Sequence, residues 1–443
     1  MVKITITACL LTLSILASLC ASSQDLAVTA MAGKETDPGT FDKFFTGKSL
    51  RVDYILAGND RITQGYLWQI KEEPFWGGPR KNLIDPWNSG NFRYSAIDSA
   101  TGELLFRMGC STLFEEFQGT QEARIVQRAY PMTALLPYPV RTIRFTIERR
   151  TYETGRFDSL FGLYINPADP YILHEMPDRY PVFELETKGG TAHQLDIAFV
   201  AEGYTEEEMP EFREDVRRIS EYFLAAEPFS GFRERITFRA VESPSEGSGV
   251  DIPGTNTYVN TSISSSFYTF GSERYLTTKD TWSMRDIAAN VPYDQIIILN
   301  NSTKYGGGGF YNHYCQSTTD NEWSEIVAIH EFGHAFGGLA DEYVGGVNYD
   351  GYYNLKLEPW EPNITTRIDF GSKWLRMIPD TVPVPTPRDS AYLHIVGVFE
   401  GGGYMAKGIY SPVMNCRMKD NSAPGFCPVC QEAIRQKILF YCD

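Results

Sequence analysis

The stretch His330-Glu331-Phe332-Gly333-His334-Ala335-Phe336-Gly337-Gly338-Leu339-Ala340-Asp341-Glu342-Tyr343 carries metal-ligating and acid–base side chains at spacings that hydrolytic chemistry uses. Residues four apart on a helix stand on one face about one turn from each other, so His330 and His334 can both reach a single tetrahedral Zn2+. Glu331 then sits beside the metal. That is the place of a general base, which takes a proton from a water whose pKa the metal lowers towards ~7. The whole chain has only six histidines, so a surface helix that carries this string by chance is the weaker reading.

A catalytic zinc takes three protein groups and a water, because two imidazoles alone hold it weakly and without a fixed geometry. Zinc hydrolases whose metal helix ends in a glycine turn usually place a His three residues after the glycine. Here Ala340 holds that place and has no donor atom. Asp341 or Glu342 must substitute, or a distant residue must. The Gly337-Gly338 turn brings the next few residues back towards the metal, and the shorter side chain suits a tight return. Asp341 is therefore expected to bind through one carboxylate oxygen at about 2.0–2.2 Å. Glu342 is the alternative ligand, and otherwise points to a supporting partner.

The flanking sequence favours a helix that can present these groups. Asp320, Asn321 and Ser324 are candidate N-caps, Glu322 and Glu325 put negative charge in the first turn, and Ile326, Ile329 and Phe336 supply an apolar stripe. Gly333 inside the helix costs about 1 kcal/mol against Ala, which implies that a neighbouring backbone comes close there.

Upstream, Leu195 to Val200 and Ile236 to Val241 read as buried strands, and Gln295 to Leu299 as a third. Between the first two, Thr205 and Glu208 form a capping-box pair for a helix running to about Ala226. Strands that alternate with helices and end in the metal helix indicate an α/β catalytic domain over residues 183–443. The glycine run from Gly306 to Gly309 lacks the Lys-Ser/Thr of a phosphate loop and reads as a flexible or closely packed rim of the cleft. Pro379, Pro383, Pro385 and Pro387 mark a loop on that domain.

Residues 24–165 have a different period. Thr142 to Glu148 alternates cleanly, and Tyr94 to Phe106 reads as a hairpin around Asp98-Ser99-Ala100-Thr101-Gly102. An antiparallel β-sandwich is expected. Trp68, Trp76 and Trp87 could form a carbohydrate platform, although packing between strands is the simpler use of them. Pro167, Pro170, Pro177 and Pro181 make residues 166–182 the expected linker.

Residues 1–23 read as a secretory signal, with Lys3, an apolar run from Ile4 to Leu19, and small residues after it. The run falls short of the ~20 residues that span a bilayer. Cys20 raises lipoprotein anchoring, but Leu19 is a poor residue before a lipidated Cys, so ordinary cleavage and export to the periplasm or the exterior are expected. Six cysteines follow the signal: Cys110, Cys315, Cys416, Cys427, Cys430 and Cys442. Export makes disulfides among the last four the default. The rival is a structural metal site built from the same four, in which Cys427-Pro-Val-Cys430 has the spacing of a zinc knuckle.

The net charge of −16 and the absence of a basic run exclude nucleic acid and anionic membranes as expected partners. A protein or peptide substrate is expected; no transmembrane segment is, and nothing speaks to the oligomeric state.

With these residues in view, the chain resembles the IgA-peptidase family of bacterial zinc metallopeptidases. The resemblance runs through Ala201-Glu202-Gly203-Tyr204-Thr205, the His-Glu-x-x-His helix with its Asp-Glu-Tyr tail, Phe399-Glu400-Gly401-Gly402-Gly403-Tyr404 and Cys416-Arg417-Met418. That family is similar to the metzincins, which implies a methionine turn beneath the zinc. Met418 is the candidate and Met414 the second. The Cys416…Cys427-x-x-Cys430 spacing also looks like the archaemetzincins.

The resemblance implies a secreted zinc endopeptidase with one catalytic Zn2+ and Glu331 as base. Tyr404 and Tyr410 are candidate donors to the oxyanion. Two other readings use the same residues: a zinc amidase or glycan-modifying hydrolase, and an adhesin or carbohydrate-binding protein with a vestigial zinc site. An intact Glu331 argues against the last.

Overall fold

The alternating runs of the first part become strands of two antiparallel sheets. In a computed structural model that describes residues 41–174, 178–185, 193–345 and 352–442, the short helix α1 (Phe41–Phe44) leads into β1 (Phe45–Gly58), β2 (Thr63–Glu73), β3 (Phe92–Asp98) and β4 (Leu104–Cys110). Helix α2 (Leu113–Gln118), β5 (Arg128–Pro139), β6 (Ile143–Arg150) and β7 (Phe157–Ile165) follow. The sheet orders are β2-β1-β5 and β4-β3-β6-β7. In β6 the alternation works as expected, with Ile143, Phe145 and Ile147 buried and Arg144 exposed between them. The β3–β4 hairpin turns at Gly102, whose φ of +75° suits a glycine and whose N–H donates to the Asp98 carbonyl. Tyr54 of β1 and Phe161 of β7 bring the two sheets together, their ring centroids 5.8 Å apart. The expected signal, with Cys20, lies outside the described residues.

The proline-rich segment is tied down at both ends. Leu173 exchanges backbone hydrogen bonds of 2.9 Å with Ile70 and Glu72, and the Tyr138 hydroxyl donates to the Pro167 carbonyl. Val182, placed in the linker by its composition, opens the edge strand β8 (Val182–Glu184) of the next sheet.

That sheet has six strands. After β8 come β9 (Leu195–Glu202), α3 (Met209–Ala225), β10 (Ile236–Val241), α4 (Thr281–Ala288), β11 (Gln295–Asn300), β12 (Gly307–Phe310), β13 (Tyr314–Thr318) and the metal-motif helix α5 (Ser324–Ala335). The order is β12-β13-β11-β9-β10-β8; β13, β11, β9 and β10 run parallel, and the edges β12 and β8 are antiparallel to their neighbours. Layers on both faces explain why the central strands are buried along their whole length and read as unbroken apolar runs. The Thr205–Glu208 capping box is formed, with the Thr205 N–H donating to Glu208 Oε2 at 2.8 Å. The hairpin β14 (Phe399–Gly402) and β15 (Met405–Ser411) and the last helix α6 (Pro428–Cys442) complete the described α-helices and strands.

One apolar core runs through both groups of sheets. Between them, Arg51 of β1 is fully buried; it donates to Asp53 Oδ1 (2.7 Å), to Glu73 Oε1 (3.2 Å) and to Asp286 Oδ1 of α4 (2.7 Å). The three tryptophans share no platform. Trp68 stacks on Trp282 at 5.0 Å, Trp76 packs edge-on to Phe106, and Trp87 lies against Phe440.

The cysteine expectation needs correction. Among the described residues no disulfide is formed: Cys416 Sγ and Cys430 Sγ stand 3.8 Å apart, far beyond the ~2.05 Å of a bonded pair. Cys442 does not join the other three. Cys430 and Cys442 lie on one continuous helix, α6, and at about 1.5 Å per residue their twelve-residue offset separates them by roughly 18 Å. Cys442 Sγ instead approaches the Arg235 carbonyl at 3.6 Å.

Candidate metal centre

Helix α5 starts at Ser324, and none of the three candidate caps acts as its N-cap. Trp323 holds that position, and the Asn321 side chain accepts from its N–H at 3.1 Å to close the turn before the helix. The buried face is Val327, Ala328, Ile329, Phe332, Gly333 and Ala335, with Ile326 only half-buried. A Cβ at Gly333 would lie 2.9 Å from Met418 Sδ and 3.1 Å from the Phe426 ring. The close neighbour is thus a pair of side chains and not a backbone. Met418 is completely buried beneath the helix.

His330 Nδ1 faces the Arg417 carbonyl at 2.9 Å, and His334 Nδ1 faces the Leu339 carbonyl at 2.6 Å. A ring that donates from Nδ1 keeps its Nε2 lone pair free for a cation. The two Nε2 atoms stand 3.2 Å apart, and Asp341 Oδ1 lies 3.2 Å from the first and 3.4 Å from the second. Donors about 2.0–2.1 Å from a tetrahedral ion are about 3.3 Å from one another, so this triangle matches a zinc site edge for edge. Asp341 is buried, and among the described residues its Oδ1 accepts no conventional hydrogen bond. The donor set, two imidazoles and a carboxylate, suits Zn2+. Burial alone would raise the Asp341 carboxyl, but His334 and His330 hold it well below the usual carboxylate range. Glu331 is raised, because burial outweighs the two imidazoles.

The return from the helix is built by Gly338, whose φ is +63°, with the Leu339 N–H donating to the Gly333 carbonyl. Asn363 then clamps the backbone of Ala340, donating to its carbonyl and accepting from its N–H at 2.8 Å each. The Asp341 carbonyl accepts from Gly403 N–H, and Asp341 Oδ2 accepts from the Tyr404 hydroxyl at 2.6 Å.

The neighbouring carboxylate goes elsewhere. Glu342 accepts from Asn363 Nδ2 at 3.0 Å and from Cys430 Sγ at 3.3 Å, in a buried pocket with Cys416 and Cys427. Tyr410 does not face the metal triangle. It follows Ile409, buried in a small cluster with Ala340 and Ile364, and its ring lies against the Arg367 guanidinium.

The triangle opens into a cleft of about 1590 Å³ whose walls include Glu116, Arg274, Tyr275, Tyr343 and Tyr404. The glycine run forms its closely packed rim: a Cβ at Gly309 would lie 2.4 Å from the Glu331 carbonyl oxygen, and one at Gly307 2.9 Å from Glu331 Cγ. Arg274 reaches the Tyr343 hydroxyl at 3.4 Å and acts electrostatically on Asp341 and Glu331. Glu116, which accepts from the Tyr275 hydroxyl, is pushed up to about 8, mainly by burial. Sequence reasoning named none of Arg274, Tyr275 or Glu116, and it quoted Tyr343 only as the end of the motif, with no role in the cleft. The other three lie on a loop or short helix remote from the motif, with no periodicity that marks them.

The family described as IgA Peptidase M64 matches residues 183–393 and 388–438, and the one described as Peptidase M64 N-terminus matches residues 40–161. No curated protein matched the chain.

Proposed function

From the premise that the chain belongs to the IgA Peptidase M64 family and is a peptidase, we propose that it is an exported zinc-dependent endopeptidase with Glu331 as its general base. The observation that carries this reading is the triangle of His330, His334 and Asp341, with Glu331 lining the same cleft and interacting electrostatically with all three. We read the scaffold as a metzincin-like α/β domain, with Met418 as the methionine turn, preceded by a β-sandwich. Support comes from the mixed sheet that ends in the metal helix and from Met418 packed beneath Gly333.

His330, His334 and Asp341 would hold the zinc, which when bound polarises the scissile carbonyl and acidifies water. The chain's own groups do the rest. Glu331, raised by its surroundings, accepts a proton from the attacking water and returns it to the leaving amine. The Tyr404 hydroxyl is committed to Asp341 Oδ2, which gives it a positioning role in this reading. Arg274 and Tyr343, at the cleft wall, are the groups we assign to the developing oxyanion. The size of the cleft suits an extended polypeptide.

The test is zinc analysis of the purified chain followed by digestion of a mixed peptide library with wild type and Glu331→Gln. Zinc-dependent cleavage that the variant loses is expected. Cleavage that survives metal chelation, or persists in the variant, would overturn the mechanism.

A further inference from the structure

Four buried side chains converge about one point on the far side of Asp341. Glu342, Cys416 and Cys430 have no exposed surface and Cys427 very little, and their ligand atoms all lie within 4.8 Å of one another. They come from three separate segments: the return from the metal helix, the loop carrying Met418, and the start of α6. Glu342 Oε1 is hydrogen-bonded, but Oε2 is buried with no hydrogen-bond partner among the described residues. A buried carboxylate oxygen left in that state is costly unless a cation faces it. Lys419 acts on Glu342 from a distance, but its Nζ donates to Ser411 Oγ and the Val413 carbonyl.

A disulfide accounts for this pocket poorly. It would consume two sulfurs, strand the third, and leave the carboxylate oxygen as it is. A single cation uses all four groups. The distances agree: sulfurs about 2.3 Å from a tetrahedral zinc stand about 3.8 Å apart, and Cys416 Sγ and Cys430 Sγ are 3.8 Å apart. Three thiolates and one carboxylate also give Zn2+ the same formal charge balance as the four-cysteine structural sites.

We propose that Cys416, Cys427, Cys430 and Glu342 bind a second, structural Zn2+. The set is buried and supplies four protein ligands, which is the character of a structural site. Its position gives it a purpose. The Glu342 N–H donates to the Met418 carbonyl at 2.7 Å, and the Arg417 carbonyl receives His330 Nδ1. The second ion would therefore clamp the backbone on which both Asp341 and His330 depend.

The experiment uses the full chain and two metals. Elemental analysis of the zinc protein should give two equivalents, and the double variant His330→Ala/His334→Ala should keep one. Cobalt-substituted protein should show sulfur-to-cobalt charge transfer, unchanged in the histidine variant and absent in Cys430→Ser. The histidine variant leaves the cysteine pocket intact, so the outcome does not hang on whether Cys430→Ser folds. Glu342→Gln, the milder change, should weaken retention of this metal at least tenfold while leaving all three thiols titratable after chelation. No metal in the histidine variant, no sulfur charge transfer, or a Cys416–Cys430 disulfide in unreduced peptides would each overturn the second site. The charge-transfer band and the thiol and disulfide readouts do not depend on the histidine-bound metal, which the wild-type cleavage assay reads separately.

Discussion

Asp341 and Glu342 are adjacent in the chain, yet their carboxylates serve opposite sides of it: Asp341 Oδ1 lies 3.2 Å from His330 Nε2, and Glu342 Oε1 lies 3.3 Å from Cys430 Sγ. The segment that carries them is cross-tied, through Gly403 to the Asp341 carbonyl and through Glu342 N–H to the Met418 carbonyl. With the backbone fixed on both flanks, the two side chains alternate in direction: Asp341 meets the histidines, and Glu342 meets Asn363 and Cys430.

That alternation separates their substitutions. Asp341→Ala should release the metal held by His330 and His334, and Glu342→Ala should largely retain it. Metal analysis after gel filtration of each variant checks this. Loss of the histidine-bound ion in Glu342→Ala with retention in Asp341→Ala would reverse the assignment.

Glu331→Gln should bind zinc as wild type does and lose kcat by at least ~100-fold, since the amide keeps the shape and cannot accept a proton. A stopped assay beside metal analysis decides it. A variant that lost its zinc would mark Glu331 as a ligand and not a base.

The Tyr404 hydroxyl orients Asp341 through Oδ2. Removing a hydrogen-bond partner of a metal ligand costs about 10–100-fold in metal affinity or activity, which is the range expected for Tyr404→Phe. Competition with a calibrated chelator measures the affinity. Unchanged affinity and unchanged kcat would show that the contact has no positioning role.

Glu116 links stability to pH. Its folded carboxyl is pushed from 4.5 up to about 8, first by burial and also by Glu115, against the hydrogen bond from Tyr275. Between those two values the folded state keeps a proton that the unfolded state gives up, so stability falls as pH rises from 4.5 through about 8 and then levels. Glu116→Gln cannot ionise. Its stability relative to wild type should therefore increase across that window, as read by urea unfolding at acid, neutral and alkaline pH; parallel profiles for the two proteins would refute the linkage.

Gly309→Ala should push β12 away from the metal helix, because the new Cβ meets the Glu331 backbone oxygen at 2.4 Å. Overpacking of this kind costs about 1–3 kcal/mol. Thermal unfolding checks the cost, and a wild-type Tm would show that the rim has room to give.

What the sequence determined by itself is what depends on near neighbours in the chain. The four-residue spacing of His330 and His334, the Thr205–Glu208 box, the alternation in β6, the start of β9 and both limits of β10 are set by the helix and strand periods, and a period is visible in one dimension. The motifs also carried the resemblance to the family to which the chain belongs. Tertiary structure alone decided the contacts between distant segments. Nothing near position 341 says that Tyr404 will reach it, that Glu342 will turn to Cys430, or that Arg274 and Glu116 will line the same cleft. The cysteines show the reason most plainly. Four of them lie close together in the sequence, but α6 carries Cys442 away along its axis, and the place beside Cys416, Cys427 and Cys430 falls to a glutamate some seventy residues earlier in the chain. Spacing along a chain constrains distance only within one element; between elements, the packing of the core sets it.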